Sequence, residues 1–178
     1  MASSEEQIVI CSSEEMLLLA PNTRAFLNGA YEGDFSDSDY ENALGGRHFI
    51  LFESGQLIAH ASVVTRSISI DDSAWKVGYV EAVAVASDFR DRGLGRQIMQ
   101  QVTDFCRGNY EVAMLSTGEH GFYERFGWVR LDATTFVDTA NGLIRTDEDD
   151  DCLMLLSDMS DLTNARQVVA LDRSENPW

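Results

Sequence analysis

Residues 79–95 read YVEAVAVASDFRDRGLG. They continue an apolar run from Trp75 to Ala86 that reads as one long strand, with Val77, Tyr79, Val83 and Val85 expected on one side by the period of two. A single acid, Glu81, stands inside it. A polar loop follows, and Arg90-Asp91-Arg92-Gly93-Leu94-Gly95 opens a helix to Arg107, with Leu94, Ile98, Val102 and Phe105 at helical spacing. Glycines at two alternate positions let the backbone turn sharply and come close to a bound group. The first helical N–H groups have no partner within the helix, and the macrodipole places partial positive charge there. With Arg90, Arg92 and Arg96 these features make a pyrophosphate site. The pattern is neither a P-loop, which needs Gly-Lys-Ser/Thr, nor the dinucleotide G-x-G-x-x-G. Read in isolation it is also compatible with a plain strand-to-helix turn.

Working outward, Gln7 to Cys11 forms a short first strand, and Ser12 with Glu14 and Glu15 starts a helix that Pro21 breaks. Ser36-x-x-Asp39 is a capping pattern opening a short helix that Gly45-Gly46 closes. His48 to Glu53 and Leu57 to Ile70 flank Ser54-Gly55 as a hairpin. Past the helix come a strand at Glu111 to Leu115, a short helix at His120 to Phe126, and strand candidates at Trp128 to Val137 and Cys152 to Leu156. The acidic run Asp147 to Asp151 separates the last two. No repeat or low-complexity linker divides the chain, so a single domain over 1–178 is expected. The order predicts an α+β (mixed α/β) fold, a mixed and mostly antiparallel sheet of about six to seven strands flanked by helices.

Of 178 residues, 44% are apolar and 24% charged, as in ordinary globular proteins. No stretch approaches the roughly 18 apolar residues of a membrane span. The start, Met1 to Glu6, is acidic and lacks a secretory pattern, so a cytoplasmic location is expected. Cys11, Cys106 and Cys152 have no CxxC or metal-like spacing and read as free thiols; no metal is expected. Thirty acids against 13 basic residues give a net charge of −17, which argues against nucleic-acid and anionic-membrane partners. A negative field steers cationic ligands, although it also serves solubility alone.

Two elements in order, Arg90-x-x-Gly93-x-Gly95 and Phe122-Tyr123-Glu124-Arg125-Phe126-Gly127-Trp128, resemble the GNAT superfamily of acyl-CoA-dependent N-acetyltransferases over roughly Arg47 to Val137. More narrowly, Gly33-Asp34-Phe35, Leu44-Gly45-Gly46, Ile58 to Ala61, Gly78 to Glu81, Arg107-Gly108-x-Tyr110, Leu115-Ser116, the acidic run and Trp178 look like the aminoglycoside 2′-N-acetyltransferases. Ala82 stands where those enzymes often have Gly, the Ser116 to Tyr123 loop is short, and Asn176 stands where an acid is typical.

The resemblance implies acetyl-CoA as co-substrate, a polycationic aminoglycoside or similar amine as acceptor, and a homodimer. It makes Glu81 the base that deprotonates the amine and Tyr123 the acid for the departing thiolate. An acid between Val80 and Ala82 on a central strand is costly without a role, which favours a function for Glu81 over a simple ion pair. Val83, Ala84, Val85 and the run Arg90, Asp91, Arg92, Gly93, Leu94, Gly95, Arg96 are implied to hold the co-substrate, with Ser116. Asp34, Asp39, Glu81, Ser116, Asp149 and the terminal carboxylate of Trp178 are implied at the acceptor, a carboxylate cluster suited to ammonium groups. For Asp39 a helix cap is an equal reading, and for most of Asp147 to Asp151 a solvated loop. His60, amid Ile58, Ala59 and Ala61, reads as a satisfied buried histidine. The alternatives are another amine acceptor (a polyamine or a protein N-terminus) and an acyl-CoA sensor without turnover.

Overall fold

A computed structural model describes residues 7–173 and 177–178. Residues 1–6, read above for a secretory pattern, and Asn176 lie outside the described residues. Packing groups the chain into two compact units, residues 7–64 with 81–102 and residues 65–80 with 103–178.

The first unit opens with β1 (Ile8–Ser12), which pairs antiparallel with β2 (Arg47–Glu53), and β2 pairs antiparallel with β3 (Gln56–Ile70). Between β1 and β2 lie α1 (Ser13–Leu19), α2 (Thr23–Ala30) and α3 (Asp37–Ala43). Ser12 and Ser36 each close a reciprocal capping box with the acid three residues on, Glu15 and Asp39, so both helix starts follow from short-range chemistry. Pro21 separates α1 from α2 as expected. Gly46 is obligatory, because a Cβ there would lie 2.0 Å from the Val63 carbonyl oxygen. Phe49, Ile50, Leu51, Ile58, Ala59 and Ala61 are fully buried, and each large one contributes about 1.5–3 kcal/mol of burial.

In the second unit the hydrogen-bonded strand order is β6-β9-β5-β4-β3-β10-β7-β8, where β4 is Ser73–Val85, β5 Val112–Ser116, β6 Val129–Arg130, β7 Thr134–Thr139, β8 Gly142–Arg145, β9 Leu153–Leu156 and β10 Gln167–Leu171. The strands β3 and β4 and the helix α4 (Leu94–Asn109) carry residues of both units, and α5 (His120–Glu124) belongs to the second. β4 runs parallel to β5, and β10 parallel to β7; most other ladders are antiparallel. Val112 to Leu115 and Leu153 to Leu156 are buried without alternation, the pattern of strands covered on both faces.

The mixed fold class stands, but the strand count is corrected to ten among the described residues. The single strand expected over Trp128 to Val137 is two, β6 and β7, each with its own partner. β10 is an alternating strand, with Val168 and Ala170 buried, that its polar flanks obscured. All of β8 is exposed, and only backbone pairing with β7 makes it a strand. The expected one-sided set on β4 also fails beyond Glu81. Ala82 has φ +50, a left-handed residue within the strand, and beyond it Ala84 is buried while Val83 and Val85 are half-buried. One such residue shifts the pleat by one position. No helix among the described residues is long and apolar enough to cross a membrane.

Candidate functional site

In the first unit the left-handed Ala82 sits between Glu81 and Val83, so backbone strain falls beside the expected base. A non-glycine residue in this region costs about 1–2 kcal/mol and must be held by its surroundings. Three consecutive carbonyls here accept bonds from three side chains. The Ser62 hydroxyl donates to Glu81 O at 3.4 Å, His60 Nδ1 lies 2.8 Å from Ala82 O, and the Tyr31 hydroxyl donates to Val83 O at 3.0 Å. Sequence reasoning missed Tyr31 and Ser62. The available signal was His60 and Ser62 at i and i+2 on one face of an otherwise apolar strand.

His60 is fully buried and hydrogen-bonded on both ring nitrogens, as read from its neighbours. Its Nε2 lies 3.0 Å from Nδ1 of buried His48, whose Nε2 lies 2.9 Å from the Ser13 hydroxyl. That hydroxyl accepts the Gly45 N–H at 2.8 Å. Burial lowers both imidazoles from 6.5, to about 4 for His48 and about 3 for His60, so both are neutral at pH 7.

The loop after β4 makes a short 3-10 turn at Ser87–Phe89, then passes through Asp91 at φ +62 and Gly93 at φ +80 before α4 starts at Leu94. Nothing lies within 4 Å of where a Gly93 Cβ would stand. Gly93 also accepts the first-turn N–H of Gln97, which leaves the N–H groups of Leu94, Gly95 and Arg96 at the helix start. This open backbone cradle fits a pyrophosphate. The arginines are less available than expected. Arg90 donates to Ala30 O at 2.7 Å and lies 3.7 Å from Glu32. Arg92 pairs with Glu53 at 2.5 Å and stacks on Phe89. Arg96 is exposed on the first turn.

Asp34 is exposed just past α2. Asp39 is taken into the α3 cap, accepting from Ser36 N at 2.9 Å and from the Ser36 hydroxyl at 2.8 Å.

In the second unit Ser116 ends β5 opposite Leu153, and the next residue, Thr117, donates its N–H to Cys152 O. Cys152 N–H in turn reaches Asp149 O, so the acidic turn is tied to the end of β5. Half-buried Tyr123 has its hydroxyl raised to about 12, chiefly by burial; a Thr117 hydrogen bond opposes this and Glu119 adds to it. The five acids 147–151 are not equivalent. Asp150 is bound by Arg145 and by Thr135, whose hydroxyl donates at 2.9 Å, and is held down at about 2, mainly by Arg145. Asp151 pairs with Arg130 at 2.6 Å. Asp149 is half-buried and raised to about 6, by burial first and then by Glu148 and Asp150. Trp178 is buried, and its indole N–H donates to the Thr146 hydroxyl at 3.0 Å in the same turn. An Arg66 guanidinium donates to Pro177 O at 2.5 Å, so the described end of the chain is docked rather than frayed.

The first unit thus carries Glu81, Val83 to Val85, the Arg90 to Arg96 loop, Asp34 and Asp39, and the second carries Ser116, Tyr123, Asp149 and Trp178. All three cysteines are free, and no cluster of three or more metal-ligating side chains occurs among the described residues.

A strand with an acid beside a left-handed residue, a glycine turn into a helix start and a mixed sheet are the features that the family comparison now places. The chain belongs to the GNAT acetyltransferase family, whose acetyltransferase (GNAT) domain model matches residues 21–130. It is 45% identical over 129 residues to an aminoglycoside 2′-N-acetyltransferase of Mycolicibacterium fortuitum, covering 71% of this chain and 66% of the relative. Over 94 residues it is 34% identical to glucosamine 6-phosphate N-acetyltransferase 1 of Oryza sativa subsp. japonica, covering 49% of this chain and 56% of that protein. The chain therefore spans just under two thirds and just over half of these curated relatives. A GNAT-family N-acetyltransferase of Escherichia coli, solved in complex with CoA, superposes with a TM-score of 0.65 at 17% identity, covering 96% of this chain and 93% of that one. That likeness is one of fold.

Proposed function

We propose that the chain transfers an acetyl group from acetyl-CoA to the 2′-amine of an aminoglycoside, as one catalytic domain. The observation that carries this reading is the 45% identity over 71% of the chain to an aminoglycoside 2′-N-acetyltransferase. Acetyl-CoA supplies the activated acetyl thioester. The amine must lose its proton before it can attack, and Glu81 takes it, directly or through water. The new C–N bond forms as the C–S bond breaks, and the Tyr123 hydroxyl gives its proton to the departing thiolate. A hydroxyl raised to about 12 is protonated at pH 7 and so in the form an acid needs. The N–H groups of Val83 and Val85 hold the thioester carbonyl and pantetheine arm, and Ser116 is a further co-substrate residue. Those of the 91–96 loop hold the pyrophosphate.

Asp34 and Asp149 are the carboxylates offered to the ammonium groups. Asp149 supports this role because its neighbours Asp150 and Asp151 are already paired within the chain. A half-buried carboxylate beside two others gains most from an incoming cation. The second relative acts on a phosphorylated amino sugar, but a net charge of −17 favours a polycation over a phosphate ester.

The test is acetyl-CoA-dependent thiol release with kanamycin B and kanamycin A in parallel, which differ by an amine or a hydroxyl at the 2′ position. Turnover with B alone is expected. Equal turnover rejects the 2′ assignment, and turnover with neither redirects the search to polyamine and peptide amines.

A further inference from the structure

We propose that Ser13, His48 and His60 form a one-directional hydrogen-bond relay that positions the catalytic strand by holding the Ala82 peptide plane, so that these three are positioning residues for the Val83 N–H and for Glu81. The inference rests on the reading of Glu81 and Val83 given above.

The direction of the relay follows from its ends. A carbonyl only accepts, so at the Ala82 oxygen the proton sits on His60 Nδ1. A neutral ring then has a bare Nε2, which accepts from His48 Nδ1 across 3.0 Å. His48 is thereby left with a bare Nε2, which accepts the Ser13 hydroxyl proton across 2.9 Å. The Ser13 oxygen is satisfied in turn by the Gly45 N–H. Every donor and acceptor is used once, and both rings are locked with the proton on Nδ1. The free neutral histidine side chain favours the opposite tautomer, so the arrangement is set by the fold.

In a trans peptide the C=O and N–H point in opposite directions. The bond from His60 to Ala82 O therefore turns the Val83 N–H away from His60. At φ +50, Ala82 would otherwise relax out of the left-handed region. Ser62 holds the peptide before Ala82 through Glu81 O, Tyr31 holds Val83 O, and His60 holds the peptide after Ala82 through its own carbonyl. The strand register places the two histidines together: His48 pairs with Ser62, and Ile50 pairs with His60.

The experiment is long-range proton–nitrogen NMR on the full chain labelled with 15N-histidine, with His120→Gln used to remove the third ring. Both remaining rings are expected in the Nδ1–H form at pH 7. Either ring in the Nε2–H form, or cationic, overturns the relay. Two substitutions then separate positioning from packing. His60→Asn can keep a donor to Ala82 O, whereas His60→Leu cannot. His60→Leu is expected to lower kcat and CoA affinity by about 10-fold or more, with His60→Asn recovering most of both. Equal loss in the two variants overturns the positioning role. Should His60→Leu not fold, Ser13→Ala is expected to leave both rings in the Nδ1–H form in a folded protein, because the Ala82 carbonyl sets the direction; a ring that switches to the Nε2–H form rejects the relay. If no amine is acetylated, the proposed function fails, while the tautomers and CoA affinity still decide the relay.

Discussion

Glu81 is the residue on which the proposed chemistry turns. Glu81→Gln keeps the shape and removes the basicity, so kcat is expected to fall by about 10² to 10⁴-fold with CoA affinity retained. Steady-state kinetics with calorimetric CoA titration check this, and an undiminished kcat would remove Glu81 as the base. Its neighbour gives a stability prediction of opposite sign. Ala82→Gly relieves the left-handed strain at φ +50 at the cost of some chain entropy. A net gain of about 0.5 kcal/mol is expected in urea denaturation. Asp149 has its own signature. Raised to about 6, it takes up a proton as pH falls past that value and loses its hold on a cation. The acceptor KM should rise below pH 6 in the parent and less steeply in Asp149→Asn.

At the scale of elements the open question is whether α3 is only a scaffold. At the third position of the α3 capping box an Asn side-chain oxygen still accepts from Ser36 but lacks the charge favoured at a helix start, so Asp39→Asn should cost about 0.3–1 kcal/mol in urea denaturation. The acceptor KM separates a cap from an ammonium ligand: an unmoved KM assigns Asp39 to the cap alone. Elements written in local chemistry were legible in the sequence. Ser12 and Ser36 with their acids, Pro21, and the Gly93 turn into α4 all lie where the residues indicated. Features set by tertiary partners were not legible. β8 has no buried face to give it a pattern, and the shift at Ala82 follows from side chains of Tyr31, His60 and Ser62, distant in sequence. Of the candidate site, the turn at Arg90 to Gly95 was legible because a short motif carries it, with Gly93 left-handed just before α4. The commitment of nearby charges was not legible, as with Arg92 on Glu53.

For the molecule as a whole, pH and salt act through groups now placed. An unfolded chain protonates its histidines near 6.5, whereas the folded one resists until about 4 at His48 and about 3 at His60. Their contribution to stability is therefore present above pH 6.5 and lost as pH falls towards 4, by up to about 1.4 kcal/mol per pH unit for each ring. Asp149 works in the opposite sense between about 4 and 6 and offsets part of this. Urea midpoints at pH 7.5, 6 and 5 should fall in that order, and less steeply in His48→Gln. The net charge of −17 predicts that added salt raises the acceptor KM more than that of acetyl-CoA, and equal effects would dismiss electrostatic steering. The cysteines carry a practical consequence. Cys11 and Cys106 are buried, and Cys106 is raised to about 12, so neither offers a thiolate to a labelling reagent. Cys152 is half-buried, three residues from Asp149, and its sulfur rests on Glu148 O. Burial, Asp149 and Asp151 raise its thiol too, so a maleimide dye needs alkaline pH to tag this position, giving a fluorescent reporter on the acidic turn without engineering a single residue.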